Sequence, residues 1–251
     1  MDSEFLYRRN AVLESLRGSR RTLHRLYFQQ GAKTQQLAEL EAAAAARGLR
    51  PMVRDKPFLT RLAGDDSHQG VVLEVSPYPY STLEALLAVA AERQEPPLLL
   101  LLDLLHGPHN IGMLLRTAEI VGVHGVVVQD RRAPDITPSI VTYAAGATEH
   151  LRIARVTNLA NAIATLKTAD VWVAGLDIHP TAQPLQKVDL NRPLALVVGH
   201  EGQGLRRRVQ QSCDFIIKLP MRGEVASLNA ATAGAVALYA AWQARGYPGA
   251  R

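Results

Sequence analysis

From residue 98 onward, runs of continuously apolar residues alternate with stretches whose apolar positions recur at helical spacing. A strand that is apolar on both faces is covered on both faces, so this alternation predicts an α/β fold with a parallel sheet between helices. Strands are expected at 98–104, 125–128, 171–175, 194–198 and 215–219. Helices are expected at 113–121, 138–145, 159–167 and 206–211, with a long small-residue helix at 229–244. Before residue 98 the elements are shorter and more mixed. A helix at 10–17, a strand at 22–28, an alanine-rich helix at 34–47 stopped by Gly48, a helix at 56–62 and a β-branched strand at 71–75 make a small α/β unit. The turn-rich Ser76-Pro77-Tyr78-Pro79-Tyr80-Ser81 follows, then a helix at 82–93 and Pro96-Pro97. Three regions result: a domain over 1–76, a linker with a helix over 77–97, and a larger domain over 98–251.

Composition narrows the class. With 47% hydrophobic residues in 251, the chain can bury a core without covalent staples, and its single cysteine, Cys213, cannot form an internal disulfide. Nothing near Met1 has the charged-then-apolar pattern of a secretory signal, so a reducing cytoplasm is the expected location. The longest apolar run, 98–105, is broken by Asp103 and is far shorter than the ~20 residues a membrane span needs. A net charge of +5 and a pI of about 9.6 favour a polyanionic partner. Arginine far outnumbers lysine, and Arg8, Arg9, Arg17, Arg20, Arg21 and Arg25 gather around His24. Arginine forks bind phosphate bidentately and stack on bases; a solvated helix face reads the same way in sequence.

Ligands of an open parallel sheet bind in the loops after the carboxyl ends of strands. Three polar, glycine-bearing segments fall there. The first, His106-Gly107-Pro108-His109-Asn110-Ile111-Gly112, runs into a helix carrying Arg116. The second is Gly199-His200-Glu201-Gly202-Gln203-Gly204-Leu205, and the third runs from Leu219 through Ser227 and Leu228 to Asn229. Taken singly, each is an ordinary turn. The second lacks the Gly-Lys-Ser/Thr of a phosphate loop, and its glycine spacing differs from the dinucleotide fingerprint of a nicotinamide-dependent dehydrogenase. His106 and His109 flank a proline with no matching Cys/His pair elsewhere, and Asp177 and His179 are no better placed, so no metal is expected.

In this order the three segments resemble motifs 1, 2 and 3 of the SpoU RNA methyltransferases, a branch of the SPOUT superfamily. Asn110-Ile111-Gly112 with Arg116-Thr117-Ala118 matches the first, residues 196–205 the second and 217–229 the third. The opening domain is similar to the family's ribosomal-protein-L30-like substrate-binding module, with Arg9-Asn10-Ala11-Val12 near its start and His68-Gln69-Gly70-Val71-Val72 near its end. Arg9 stands where the family commonly has glycine. These flanks resemble the group that methylates a guanosine in large-subunit rRNA.

The resemblance implies a SPOUT-type parallel sheet with a C-terminal trefoil knot, a homodimer, and S-adenosylmethionine as cofactor. Gly199, Leu219 and Leu228 match cofactor-holding positions. Asn110, Arg116, Glu201, Ser227 and Asn229 match polar active-site positions. The implied reaction is methylation of a ribose 2′-hydroxyl in structured RNA, rRNA or alternatively tRNA, without a membrane partner. Arg116 matches the family's proposed proton acceptor, a role in tension with arginine's very high pKa, so orienting the hydroxyl and neutralising the alkoxide stays open beside it. A non-catalytic RNA-binding protein on the same fold is the rival from another class.

Overall fold

The computed structural model describes residues 3–32, 34–131 and 133–251. They form two compact units, one of Met1–Pro79 with Ile136–His150, the other of Tyr80–Asp135 with Leu151–Arg251.

The first unit is a four-stranded sheet with helices. Its elements in chain order are β1 (Glu4–Tyr7), α1 (Arg9–Arg17), β2 (Leu23–Gln29), α2 (Thr34–Ala46), β3 (Met52–Arg54), α3 (Lys56–Ala63) and β4 (Val71–Val75). Strand order is β1-β4-β2-β3, with β4 antiparallel to both neighbours and β3 parallel to β2 at the edge. The strands β1 and β3 were not expected from sequence. At four and three residues they are too short to display a two-residue alternation. The helix α3 has complete local signals: Asp55 accepts the Phe58 N–H at 3.0 Å, proline sits in the first turn, and Gly64 ends it at φ +64°.

The second unit is a seven-stranded sheet, every pair parallel, in the order β7-β6-β5-β10-β8-β11-β9. Its elements begin with α4 (Leu83–Arg93), β5 (Leu98–Asp103), α5 (Pro108–Ile120) and β6 (Gly125–Gln129). After α6 (Pro138–Tyr143), which belongs to the first unit, come β7 (Ile153–Val156), α7 (Leu159–Thr168), β8 (Trp172–Leu176) and β9 (Gln183–Pro184). The remaining elements are β10 (Leu194–Gly199), α8 (Arg207–Ser212), β11 (Phe215–Lys218) and α9 (Ala230–Ala244). All five expected strands are present, while β7 and the two-residue β9 were not anticipated. Central β5, β6 and β10 are buried at every position. Each fully buried leucine of β5 contributes roughly 2 kcal/mol of apolar burial. The first helix after β5 starts at Pro108 rather than 113, because proline's fixed φ suits the first helical position and Gly107 precedes it as cap. Among the described residues, no helix is long and apolar enough to cross a membrane.

From sequence alone, residues 136–150 go with the larger domain. In the structure α6 packs on β1 and α1 of the first unit. The anchor there is ionic. The Arg21 guanidinium has no exposed surface and donates to Glu149 at 3.1 Å, to Glu4 at 2.6 Å and to the Ser76 carbonyl at 2.8 Å. Glu149, 128 residues away along the chain, is itself only 1% exposed at its side chain. Arg21 is therefore no phosphate contact, contrary to its place in the arginine cluster. Arg17 is likewise engaged by Glu14 and Glu39.

Removing one partner of a buried pair leaves the other charge uncompensated. Arg21→Met should lower the unfolding free energy by roughly 3–5 kcal/mol near neutral pH. Burial pushes the Glu149 carboxyl above its ordinary range even with Arg21 beside it. Without Arg21 the folded state binds a proton there more tightly still, so the deficit relative to wild type should shrink as pH falls and Glu149 is neutralised. Denaturant titrations at about pH 7.5 and about pH 5 check this, and an equal deficit at both contradicts it.

Candidate active site

The carboxyl ends of β5, β8, β10 and β11 lie side by side, and the loops leaving them form the site. At the end of β5, Asp103 has no exposed surface. A carboxylate buried in an apolar strand needs strong partners. Arg206 supplies them, with its backbone N–H at 2.9 Å and its Nε at 2.7 Å, while its Nη2 also reaches Gln129 at 2.8 Å. Beyond β8, Asp177 accepts the Leu205 N–H at 3.0 Å and the Ile178 N–H at 2.7 Å. These two carboxylates clamp the far end of the loop that leaves β10.

The loop itself is tight. His200 and Gly204 exchange backbone hydrogen bonds of 3.1 and 3.0 Å, and His200 Nδ1 accepts the Gly202 N–H at 3.0 Å. A Cβ on Gly199 would lie 2.5 Å from the Gly204 carbonyl, so no larger residue fits unless the backbone moves. Gly204 is at φ +65°, and a Cβ there would stand 2.7 Å from the Asp177 carboxylate.

At the rim, three polar side chains form a directional chain. Asn110 Nδ2 donates to Glu201 Oε1 at 2.9 Å, and Asn229 Nδ2 donates to Asn110 Oδ1 at 3.1 Å. Asn229 Oδ1 then accepts the Ala231 and Thr232 N–H groups at 2.9 and 3.2 Å, capping α9. Each amide has one sensible orientation here, because an ionised carboxylate only accepts and a helix N-terminus only donates. Partial burial pushes the Glu201 carboxyl up. Hydrogen bonds from Asn110 and from the Glu201 and Gly107 backbone outweigh that and hold it below the ordinary range.

Between these loops opens a cavity of about 340 Å³. Gly199, Glu201, Leu219, Ser227 and Leu228 all line it, with Leu176, Asp177 and Met221. Asn110 and Asn229 join the group through Glu201. Arg116 does not: it is exposed on α5, lines no part of the cavity, and makes no hydrogen bond or ion pair among the described residues. Asp103, Asp177 and Arg206 were not among the residues singled out from sequence as the site. The one available signal was Asp103 itself, a lone charge inside an otherwise apolar strand.

Comparison with known proteins decides the family. A model described as the SpoU rRNA Methylase family matches residues 97–239, and one described as RNA 2′-O ribose methyltransferase substrate binding matches 5–81. The chain belongs to the SpoU rRNA methylase family. Bacillus subtilis YacO, assigned to the TrmH family of tRNA/rRNA methyltransferases, is 38% identical over 242 residues, 96% of each chain. The fold is shared with the SpoU methyltransferase AviRb from Streptomyces viridochromogenes, solved with its cofactor AdoMet, at a TM-score of 0.79 and 23% identity over 97% of this chain and 90% of that one. The A. aeolicus TrmH/SpoU tRNA modifying enzyme is 26% identical over 66% of this chain and 84% of its own, with a TM-score of 0.56. All three site segments lie within the SpoU methylase match, as do residues 136–150, which nonetheless pack with the first unit.

The tight SpoU loop gives a structural prediction. Gly199→Ala should cost about 1–3 kcal/mol as its methyl is forced against backbone. Gly223→Ala, with nothing within 4 Å and an ordinary φ, should stay within ~0.5 kcal/mol of wild type. Equal denaturation midpoints for the two variants would show that the loop yields freely.

Proposed function

We propose that this SpoU methyltransferase moves a methyl group from S-adenosylmethionine to the ribose 2′-hydroxyl of a guanosine in structured RNA, with large-subunit rRNA as substrate. The observation that carries the reading is the Glu201-Asn110-Asn229 chain beside the cavity that Glu201 lines. The cavity suits the cofactor: its volume falls within the ~300–1,000 Å³ of small-molecule sites. Leu176, Leu219 and Leu228 offer apolar surface for adenine, Gly199 adds main chain to the lining, and the Asp177 and Glu201 carboxylates favour a cation. When bound, S-adenosylmethionine supplies a methyl group on a cationic sulfur.

The chain's own residues do the positioning. Ionised Glu201 holds the Asn110 amide, and Asn229 ties that amide to the start of α9, so the polar rim is fixed before substrate arrives. Ser227, on the cavity wall, is a hydroxyl donor within this rim. Arg116 orients the 2′-hydroxyl and offsets the charge that develops on its oxygen. The first unit selects the RNA, and the C-terminal segment is threaded as the family's trefoil knot.

The protein acts as a homodimer through α5 and α9, which pack together and expose Met113 and Ile120 on one helix and Val236 and Tyr239 on the other. Arg116 shares the exposed side of α5 with Met113 and Ile120, so a dimer through this face sets it against the second copy, and its role at the ribose is played from there. The reaction takes place in the cytoplasm. Methylation of tRNA is the second reading, supported by the A. aeolicus tRNA modifying enzyme.

Purified protein should transfer label from S-adenosylmethionine to RNA, and mapping 2′-O-methylation in a deletion strain should show one lost site in large-subunit rRNA. A lost tRNA site moves the assignment to tRNA; binding of RNA without transfer supports the non-catalytic rival. Arg116→Ala should cut single-turnover transfer by about 10²–10⁴-fold with S-adenosylmethionine affinity nearly unchanged, a rate within a few-fold of wild type removing it from the chemistry. Light scattering at micromolar concentration should show a dimer, and Ile120→Asp with Tyr239→Asp should leave monomers by placing charge in the apolar face.

A further inference from the structure

The edge of the first unit's sheet carries a surface that the cofactor site does not use. As the edge strand, β3 has β2 on one side and, among the described residues, no strand on the other. All three of its residues are exposed, Met52 at 39% and Val53 at 59%. Apolar side chains on an open edge invite unwanted strand pairing, so they call for a reason.

The flanking residues supply one. Residues 50–61 hold four cations, Arg50, Arg54, Lys56 and Arg61, against one acid, Asp55, whose carboxylate is occupied as the cap of α3. Two of those cations lie over a single aromatic ring: the Arg54 and Arg61 guanidinium carbons are 5.7 and 5.3 Å from the Phe58 centroid. Tyr27 meets the same ring from the core at 5.5 Å. The Arg54 side chain donates only to the adjacent Val53 carbonyl, at 2.8 Å, and Arg50, Lys56 and Arg61 have no hydrogen bond or ion pair among the described residues. The surface is thus cationic, and among the described residues no acid is paired with its four cations.

A guanidinium held over an aromatic ring presents a planar cation on which a nucleobase can stack, with N–H groups left for phosphate. Bases inside a duplex are hidden, whereas an unpaired strand offers base faces and backbone together. We infer that β3 and α3 bind an unpaired RNA strand, its bases stacked against Arg54, Arg61 and the apolar edge and its phosphates on Arg50, Lys56 and the remaining N–H groups of the two stacked guanidinium groups. This rests on the reading of the protein as an RNA-modifying enzyme, and gives its substrate a single-stranded segment beside the modified nucleotide's own fold.

The test uses the full chain, fluorescein-labelled dodecauridine and a blunt RNA hairpin. The variant is Arg54→Gln with Arg61→Gln, which keeps hydrogen bonding and much of the side-chain length but removes both charges. Dodecauridine affinity should fall about tenfold or more, and its log–log salt slope should flatten by about 1.4, at ~0.7 for each phosphate no longer neutralised. Hairpin affinity should change less than about threefold, with S-adenosylmethionine affinity and the melting temperature as in wild type. Arg54→Lys with Arg61→Lys should restore the salt slope but only part of the affinity, because the planar stack is missing. Unchanged dodecauridine affinity and slope overturn the inference, and so does an equal loss for hairpin and oligonucleotide. Self-association of the glutamine variant with unaltered RNA binding also overturns it, since the arginines then merely guard a strand edge. Wild-type label transfer in the same preparations separates the two readings: transfer with unaltered oligonucleotide binding sinks this inference alone, and absent transfer with weakened binding sinks the catalytic one alone.

Discussion

Asp103 ends a fully buried strand of the large sheet as a charge with no access to water. Such a group is tolerable only with several strong donors, and Arg206 meets it with a backbone N–H and a guanidinium. That requirement fixes where the loop after β10 must end. Once Arg206 is held there and Asp177 takes the neighbouring Leu205 amide, the seven residues from Gly199 to Leu205 have little freedom left. Their tightness excludes a side chain at Gly199, which enters the cavity lining as main chain alone. The geometry of the site follows from one desolvated carboxylate.

The polar rim obeys a related logic of fixed direction. The direction of the Glu201-Asn110-Asn229 chain is fixed from both ends, by an ionised carboxylate that only accepts and a helix N-terminus that only donates. A rim of this kind is pre-set, and a pre-set polar environment is what methyl transfer to a weakly acidic hydroxyl needs. Arg116 stands outside the chain, on the side of α5 where apolar residues are also exposed. Its freedom is consistent with a group that meets RNA or a second copy rather than its own cavity.

Arginine serves two opposite purposes in the first unit. Arg21 is withdrawn from water and binds residues far apart in the chain, joining 136–150 to the opening segment. Arg54 and Arg61 remain at the surface over Phe58. Both sets look alike as letters, and burial alone separates the stabilising guanidinium from those available to a polyanion.

The class of fold, the five principal strands of the large sheet and the three segments that meet at the cavity were all legible in the order of residues. Continuous apolar runs of strand length, spaced by helical patterns, have one good use in water, a strand covered on both faces, and glycine-bearing turns after such strands are where ligands bind. Glu201, Ser227, Gly199, Leu219 and Leu228 were readable on that basis together with the motif resemblance, and the structure gathers them on one cavity. Short strands such as β3 and β9 were not readable, because two or three residues carry no period. The attachment of 136–150 to the first unit and the clamp between Asp103 and Arg206 emerged only in three dimensions, since each depends on partners more than a hundred residues apart. Periodicity reports which face of an element is buried; it carries no information about which distant charge will be there to meet it.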